Sequence, residues 1–190
     1  MELGITGKTA IITGASTGIG FAVAREFAEN GARVVLVART ADRLHQAAKE
    51  IMQECKSEVL AVPADVSDPA EPDRIVHSAR ARFGSVDIMI NNAGRAHSGD
   101  ILQATDADWE EMTATKLSAM RRFCRAVIPD MRERHWGRIV NISSIGGIYP
   151  HCCPATSGTK SIGCLYRLSR YRNRMSEVPV KWGFSRTELG

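Results

Sequence analysis

No apolar run in the 190-residue sequence approaches the roughly 18 residues that a membrane-crossing helix needs. The first residues carry neither the basic start nor the apolar stretch of a secretory signal, so a cytoplasmic location is expected. The five cysteines (Cys55, Cys124, Cys152, Cys153, Cys164) include no C-x-x-C pair and share no ligand spacing with the five histidines. No metal site is therefore expected, and in a cytosolic chain no disulfide either; the adjacent Cys152 and Cys153 are read as having neither role. Repeats, linkers and low-complexity tracts are missing too, which leaves residues 1–190 as a single domain. Asn141-Ile142-Ser143 matches a glycosylation sequon, but it falls in a strand read as buried and is discounted.

Excess charge is also scarce over most of the chain. The formal net charge is +4, and residues 161–190 carry all of it, with six basic and two acidic side chains. A basic arm for nucleic acid would use such a tail, but Arg167, Arg170, Arg172 and Arg174 surround their segment on all sides and match no packing or binding pattern. Neither nucleic acid nor membrane is expected as a partner.

What is present is a regular alternation of apolar strands and amphipathic helices. The strands are 8–13, 33–38, 58–62, 86–90 and 138–142, and the second (Arg33-Val-Val-Leu-Val-Ala38) is almost wholly apolar, as for a parallel sheet covered on both faces. Helical patterns occupy 21–30, 41–55, 69–83 and about 105–134, with Gly31 and Gly84 as stops. Strand–helix repetition with short connections predicts an α/β fold with a doubly wound parallel sheet and right-handed crossovers.

In such a sheet, ligands bind at the carboxyl ends of the strands. The first of these ends carries Thr13-Gly14-Ala15-Ser16-Thr17-Gly18-Ile19-Gly20, a glycine turn that opens a helix. Its free N–H groups suit an anion such as a pyrophosphate, although by itself the spacing fits a plain tight turn as well. Ala38-Arg39, Ala64-Asp65-Val66 and Asn91-Asn92-Ala93-Gly94 follow the next strands.

Taken in this order, TGxxxGIG, Asp65-Val66 and NNAG resemble the landmarks of the short-chain dehydrogenase/reductase family, over Gly7 to about Gly147. The resemblance implies a Rossmann-like sheet of strand order 3-2-1-4-5-6, with the family's last strand missing from this chain. It implies a nicotinamide dinucleotide held by Gly14, Ser16, Thr17, Gly18, Ile19 and Gly20 at the pyrophosphate and adenosine ribose. Asp65 and Val66 would meet the adenine, and Asn92, Ala93 and Gly94 would pass under its ribose and hold the central sheet. At the end of strand two an acidic residue would bind a ribose 2′-hydroxyl and repel a 2′-phosphate. Arg39 stands there instead and can pair with phosphate through two N–H groups, so NADP is predicted over NAD.

The family's reaction is hydride transfer between the nicotinamide and a small carbonyl or secondary alcohol. Its catalytic set, carried over by resemblance, gives Ser144 as the residue polarising the carbonyl and Lys160 as the lysine that binds the nicotinamide ribose and lowers a phenol's pKa. Lys116 stands where the family has an asparagine. The tyrosine four residues before the lysine is absent: Thr156 occupies that position, and an aliphatic hydroxyl cannot be tuned towards neutrality as a phenol can. Tyr149 and Tyr166 lie at the wrong spacings.

Residues 150–190 diverge from the family pattern and are expected to order poorly, although Val178 to Thr187 again resembles a sixth strand and its following turn. A shifted reading frame permits tyrosine at the Ala155–Thr156 junction and lysine at the Thr159–Lys160 junction, and turns both cysteine codons at 152 and 153 into leucine. A non-tyrosine codon at the first junction in the coding DNA excludes that explanation. Homo-oligomers are implied by the family, an expectation that the shortened chain weakens. The readings left open are an NADP-dependent oxidoreductase and a non-catalytic dinucleotide-binding protein of the same fold.

Overall fold

The strands are short and apolar, and every residue of the first is buried. In a computed structural model of the chain, residues 3–94 and 103–143 are described. They form β1 (Thr9–Thr13), α1 (Gly18–Glu29), β2 (Arg33–Ala38), α2 (Ala41–Cys55), β3 (Val59–Pro63), α3 (Glu71–Phe83), β4 (Ile88–Asn91), α4 (Asp106–Thr113), α5 (Ala119–Glu133) and β5 (Arg138–Asn141). All pairings are parallel, in the order β3-β2-β1-β4-β5. This is the predicted order as far as the fifth strand; the expected sixth strand and the divergent 150–190 stretch lie outside the described residues.

Alternation along each strand divides the core into two layers. Ile11, Val35, Val37 and Met89 face Ile75, Phe83, Phe123 and Val127 of α3 and α5. Ala10, Ile12, Val34 and Leu36 face Ala24, Ala28, Leu44 and Ile51 of α1 and α2. Helices thus cover both faces, which is why polar side chains are confined to the strand ends and the strand middles are apolar. Phe123 is fully buried, and burying a side chain of that size contributes about 2 kcal/mol or more.

Two polar groups set the lower, amino-terminal end of the sheet. Buried Asp87 accepts a hydrogen bond from the Thr9 N–H at 2.9 Å and one from Ser85 Oγ at 3.2 Å. Arg134 approaches it to 3.6 Å and donates to the Val86 carbonyl at 2.8 Å. β4 starts at Ile88 rather than at Val86 as the apolar pattern suggests, although Asp87 already exchanges backbone bonds with Thr9 and Arg138.

Two helices differ from the sequence reading. Helix α1 begins at Gly18, three residues before the amphipathic pattern, because the glycines of its first turn carry no side chain to reveal it. The long segment 105–134 is not one uniform helix. A Thr105/Asp108 capping box opens α4, and a π-helical turn over Ala114–Ser118 separates α4 from α5. Such π turns recur at functional sites, and this one holds Lys116. Among the described residues no helix is long and apolar enough to cross a membrane.

Candidate functional site

The carboxyl ends of β1, β2, β3 and β4 surround an open cleft of about 270 Å³. Gly14, Ser16 and Thr17 from the glycine turn, Arg39, Asp65 and Val66, and Ala93 and Gly94 all line it. Residues separated by some 80 positions in sequence are thus brought to one surface by the strand order. Gly18, Ile19 and Gly20 stand beside it in the first turn of α1, with Ile19 open to solvent.

Each glycine of the turn is required for a different reason. Gly14 adopts φ +67°, and a Cβ there would meet Asn92 Nδ2 at 2.9 Å and Ala93 Cα at 3.0 Å. A Cβ on Gly20 would come within 2.3 Å of the Gly14 carbonyl oxygen and within 2.5 Å of Asn92 Nδ2. Gly18, at φ +60°, faces open space instead. Thr17 has extended backbone and its side chain makes no capping hydrogen bond, so the first N–H groups of α1 are not capped by it.

The turn is tied down from β4. Thr13 Oγ1 accepts the backbone N–H groups of Asn92 and Ala93, both at 3.0 Å, and donates to the Ile90 carbonyl at 3.3 Å. Asn92 Nδ2 donates to the Thr13 carbonyl at 2.9 Å and to that of Gly14 at 3.3 Å. The Asn92 side chain therefore holds the glycine turn to the sheet. Ala15 N–H adds a bond to the Val37 carbonyl at 3.2 Å. Alongside, Asn91 Nδ2 donates to Asn141 Oδ1 at 2.7 Å, which commits the sequon asparagine to joining β4 and β5.

Asp65 has two separate tasks. Its Oδ1 accepts from Ser67 N–H at 2.9 Å and Ser67 Oγ at 2.7 Å, forming a turn ahead of α3, whose own cap position is Ala70. Its Oδ2 lies 3.9 Å from Arg39 Nη1. Burial opposes ionisation of Asp65, but the two Ser67 hydrogen bonds and the Arg39 charge outweigh it and hold the carboxyl below its ordinary range.

Arg39 Nη1 also lies 3.9 Å from Glu111 Oε1 on α4. Glu111 and Thr115 line the cleft from that side. Neither residue, nor Thr13, belongs to the site predicted from sequence. The Thr13 hydroxyl had a signal in its place at the end of β1; Glu111 had none, since only helix phase brings it to Arg39. Lys116 is placed in the π turn with its stem over Gly94, where a Cβ would meet Lys116 Cε at 2.9 Å. It is thereby joined to the NNAG turn. Ser144 and Lys160, with Thr156, Tyr149 and Tyr166, lie outside the described residues. Among the described residues no group of three His, Cys, Asp or Glu side chains is placed to hold a metal ion.

A parallel doubly wound sheet with a glycine-turn cleft at its carboxyl edge defines a nucleotide-binding class of α/β protein. The family model described as short chain dehydrogenase matches residues 8–160, and the chain belongs to that family. An uncharacterized oxidoreductase of Staphylococcus aureus (strain MRSA252) is 36% identical over 143 residues, 75% of this chain and 61% of the relative. The chain therefore spans about three fifths of that protein's length. Among solved structures, L-sorbose reductase from Gluconobacter frateurii, complexed with NADPH and L-sorbose, is 40% identical with a TM-score of 0.84. That likeness covers 87% of this chain and 64% of the other. A metagenomic short-chain oxidoreductase in complex with NADP is 31% identical, also with a TM-score of 0.84, over 94% of this chain and 81% of that one.

Proposed function

We propose that residues 1–190 form one NADP-binding domain of the short-chain dehydrogenase/reductase type. Its reaction class is hydride transfer between the nicotinamide and a small carbonyl or secondary alcohol. The observation that carries the cofactor reading is Arg39 at the rim of a cleft floored by Gly14, Ser16 and Thr17. A guanidinium there favours a 2′-phosphate where an acidic residue would repel it. The residues present fit the adenosine half of the group. Gly14 and Gly20 leave no room for side chains of their own, Gly18 opens to free space, and the start of α1 is uncapped. The L-sorbose reductase and metagenomic oxidoreductase complexes, with NADPH and NADP respectively, support the same choice.

When bound, the nicotinamide supplies or accepts a hydride. The chain's residues hold the anionic half by the Gly14–Gly20 turn, pair Arg39 with the 2′-phosphate, and set Asp65 and Val66 at the adenine. Ser144, Lys160 and Lys116 are the residues proposed for the reacting end.

A second reading has its own observation. Thr156, four residues before Lys160, carries no phenol to move a proton to or from a substrate oxygen. On that reading the chain binds the dinucleotide and turns it over slowly or not at all. NADPH titration by fluorescence tests the first step, and Arg39→Asp is expected to lower the NADPH-to-NADH affinity ratio. An unchanged ratio removes the role given to Arg39. NADPH oxidation with a panel of ketones separates the two readings: rates near those of a family member with the tyrosine refute the non-catalytic one.

A further inference from the structure

The cation at the rim of the cleft is shared between two carboxylates from different elements. Arg39 Nη1 stands 3.9 Å from Asp65 Oδ2, after β3, and 3.9 Å from Glu111 Oε1, on α4. All three side chains are about half exposed, at 56%, 46% and 54%. The group therefore carries one positive and two negative charges at the place where, on the reading just proposed, a 2′-phosphate must enter.

We infer that Glu111 is a specificity-determining residue that restrains the preference for the 2′-phosphorylated cofactor. A phosphate dianion pairing with Arg39 comes beside the Glu111 carboxylate and is repelled by it; a 2′-hydroxyl carries no charge and is not. The phosphate must also draw the guanidinium away from a carboxylate it already faces. Asp65 exerts the same repulsion, but its Oδ1 is bound by Ser67 in the turn before α3, so its removal disturbs the chain path. Glu111 lies on a helix surface where glutamine has equal helix propensity, and its charge can be removed alone. At exposed positions one charge acting on a dianion is worth about threefold in affinity at physiological ionic strength and more in dilute buffer.

The test measures binding of adenosine 2′,5′-bisphosphate and of 5′-AMP by calorimetry to the full chain, to Glu111→Gln and to Glu110→Gln. Glu110 is the exposed neighbour on the same helix that does not line the cleft. Glu111→Gln is expected to bind the bisphosphate ~3-fold tighter or better with 5′-AMP unchanged, Glu110→Gln to bind both as the parent does, and 0.5 M NaCl to shrink the gain. An equal gain for both ligands, a gain equally large in Glu110→Gln, or weaker binding of the bisphosphate by Glu111→Gln overturns the inference. Binding of both ligands by the parent with no response to Glu111→Gln overturns it while leaving the dinucleotide reading intact. Failure of the parent to bind either ligand brings down that reading and the inference with it.

Discussion

The Thr13 hydroxyl uses its whole hydrogen-bonding capacity on the end of β4 and the turn that follows it. It accepts the N–H groups of Asn92 and Ala93 at 3.0 Å each and donates to the Ile90 carbonyl, while Asn92 Nδ2 returns to the Thr13 carbonyl at 2.9 Å. The glycine turn after β1 and the NNAG turn after β4 are therefore one unit. Thr13→Val keeps the shape and leaves two N–H groups without their acceptor, at a cost of about 2 kcal/mol. A urea titration should show a lower midpoint with an unchanged slope. NADPH affinity should fall with it, because the turn loses its anchor; an unchanged midpoint contradicts the account.

The two neighbouring glycines of the turn should respond differently to the same substitution. Gly20→Ala places a methyl 2.3 Å from the Gly14 carbonyl oxygen, and backbone must shift to admit it, at about 3 kcal/mol. Gly18→Ala meets nothing, but its φ of +60° costs an alanine about 1 kcal/mol. Denaturation curves measured side by side should rank Gly20→Ala as the more damaging. The reverse ranking is incompatible with the packing described.

Asp65 makes a pH prediction whose sign follows from its lowered pKa. The folded chain favours the ionised carboxylate, so the contribution is complete above the unfolded value of about 3.9 and disappears as pH falls through the folded value. Thermal melts of the parent and Asp65→Asn should differ by a constant amount from pH 7 to about 5 and converge progressively below. The difference is small because the side chain is half exposed. A gap that widens on acidification contradicts the assignment.

Burial pushes the Cys124 thiol up to about 11. Since the thiolate is the reactive form, iodoacetamide at pH 8 should label the half-buried Cys124 much more slowly in the folded chain than in urea. Peptide-resolved mass spectrometry reads this residue separately from the other cysteines. Native labelling as fast as labelling in urea would show that α5 does not bury it.

Much of the architecture was legible because its causes are local or repetitive. A strand covered by helices on both faces must be apolar where it is covered, so the run 34–38 declared itself without reference to any partner. The motif residues of the cleft were legible for a related reason: each follows a strand, and strand ends on one edge of a parallel sheet face one space. Helix starts made of glycine were hidden, as α1 shows, because residues without side chains carry no pattern. The π turn at 114–118 was hidden too, since one extra residue in a turn leaves the amphipathic pattern on either side intact.

By itself the sequence determined the alternation of elements, the glycine turn, and an arginine rather than an acid at position 39. Those are matters of residue type and spacing. Only the tertiary structure decided that Asn92 is spent on holding the turn, that Lys116 lies over Gly94, and that Arg39 divides its charge between Asp65 and Glu111. Those contacts join residues 22 to 79 positions apart. Strand order and helix phase place them, and neither is written in any one stretch of the chain.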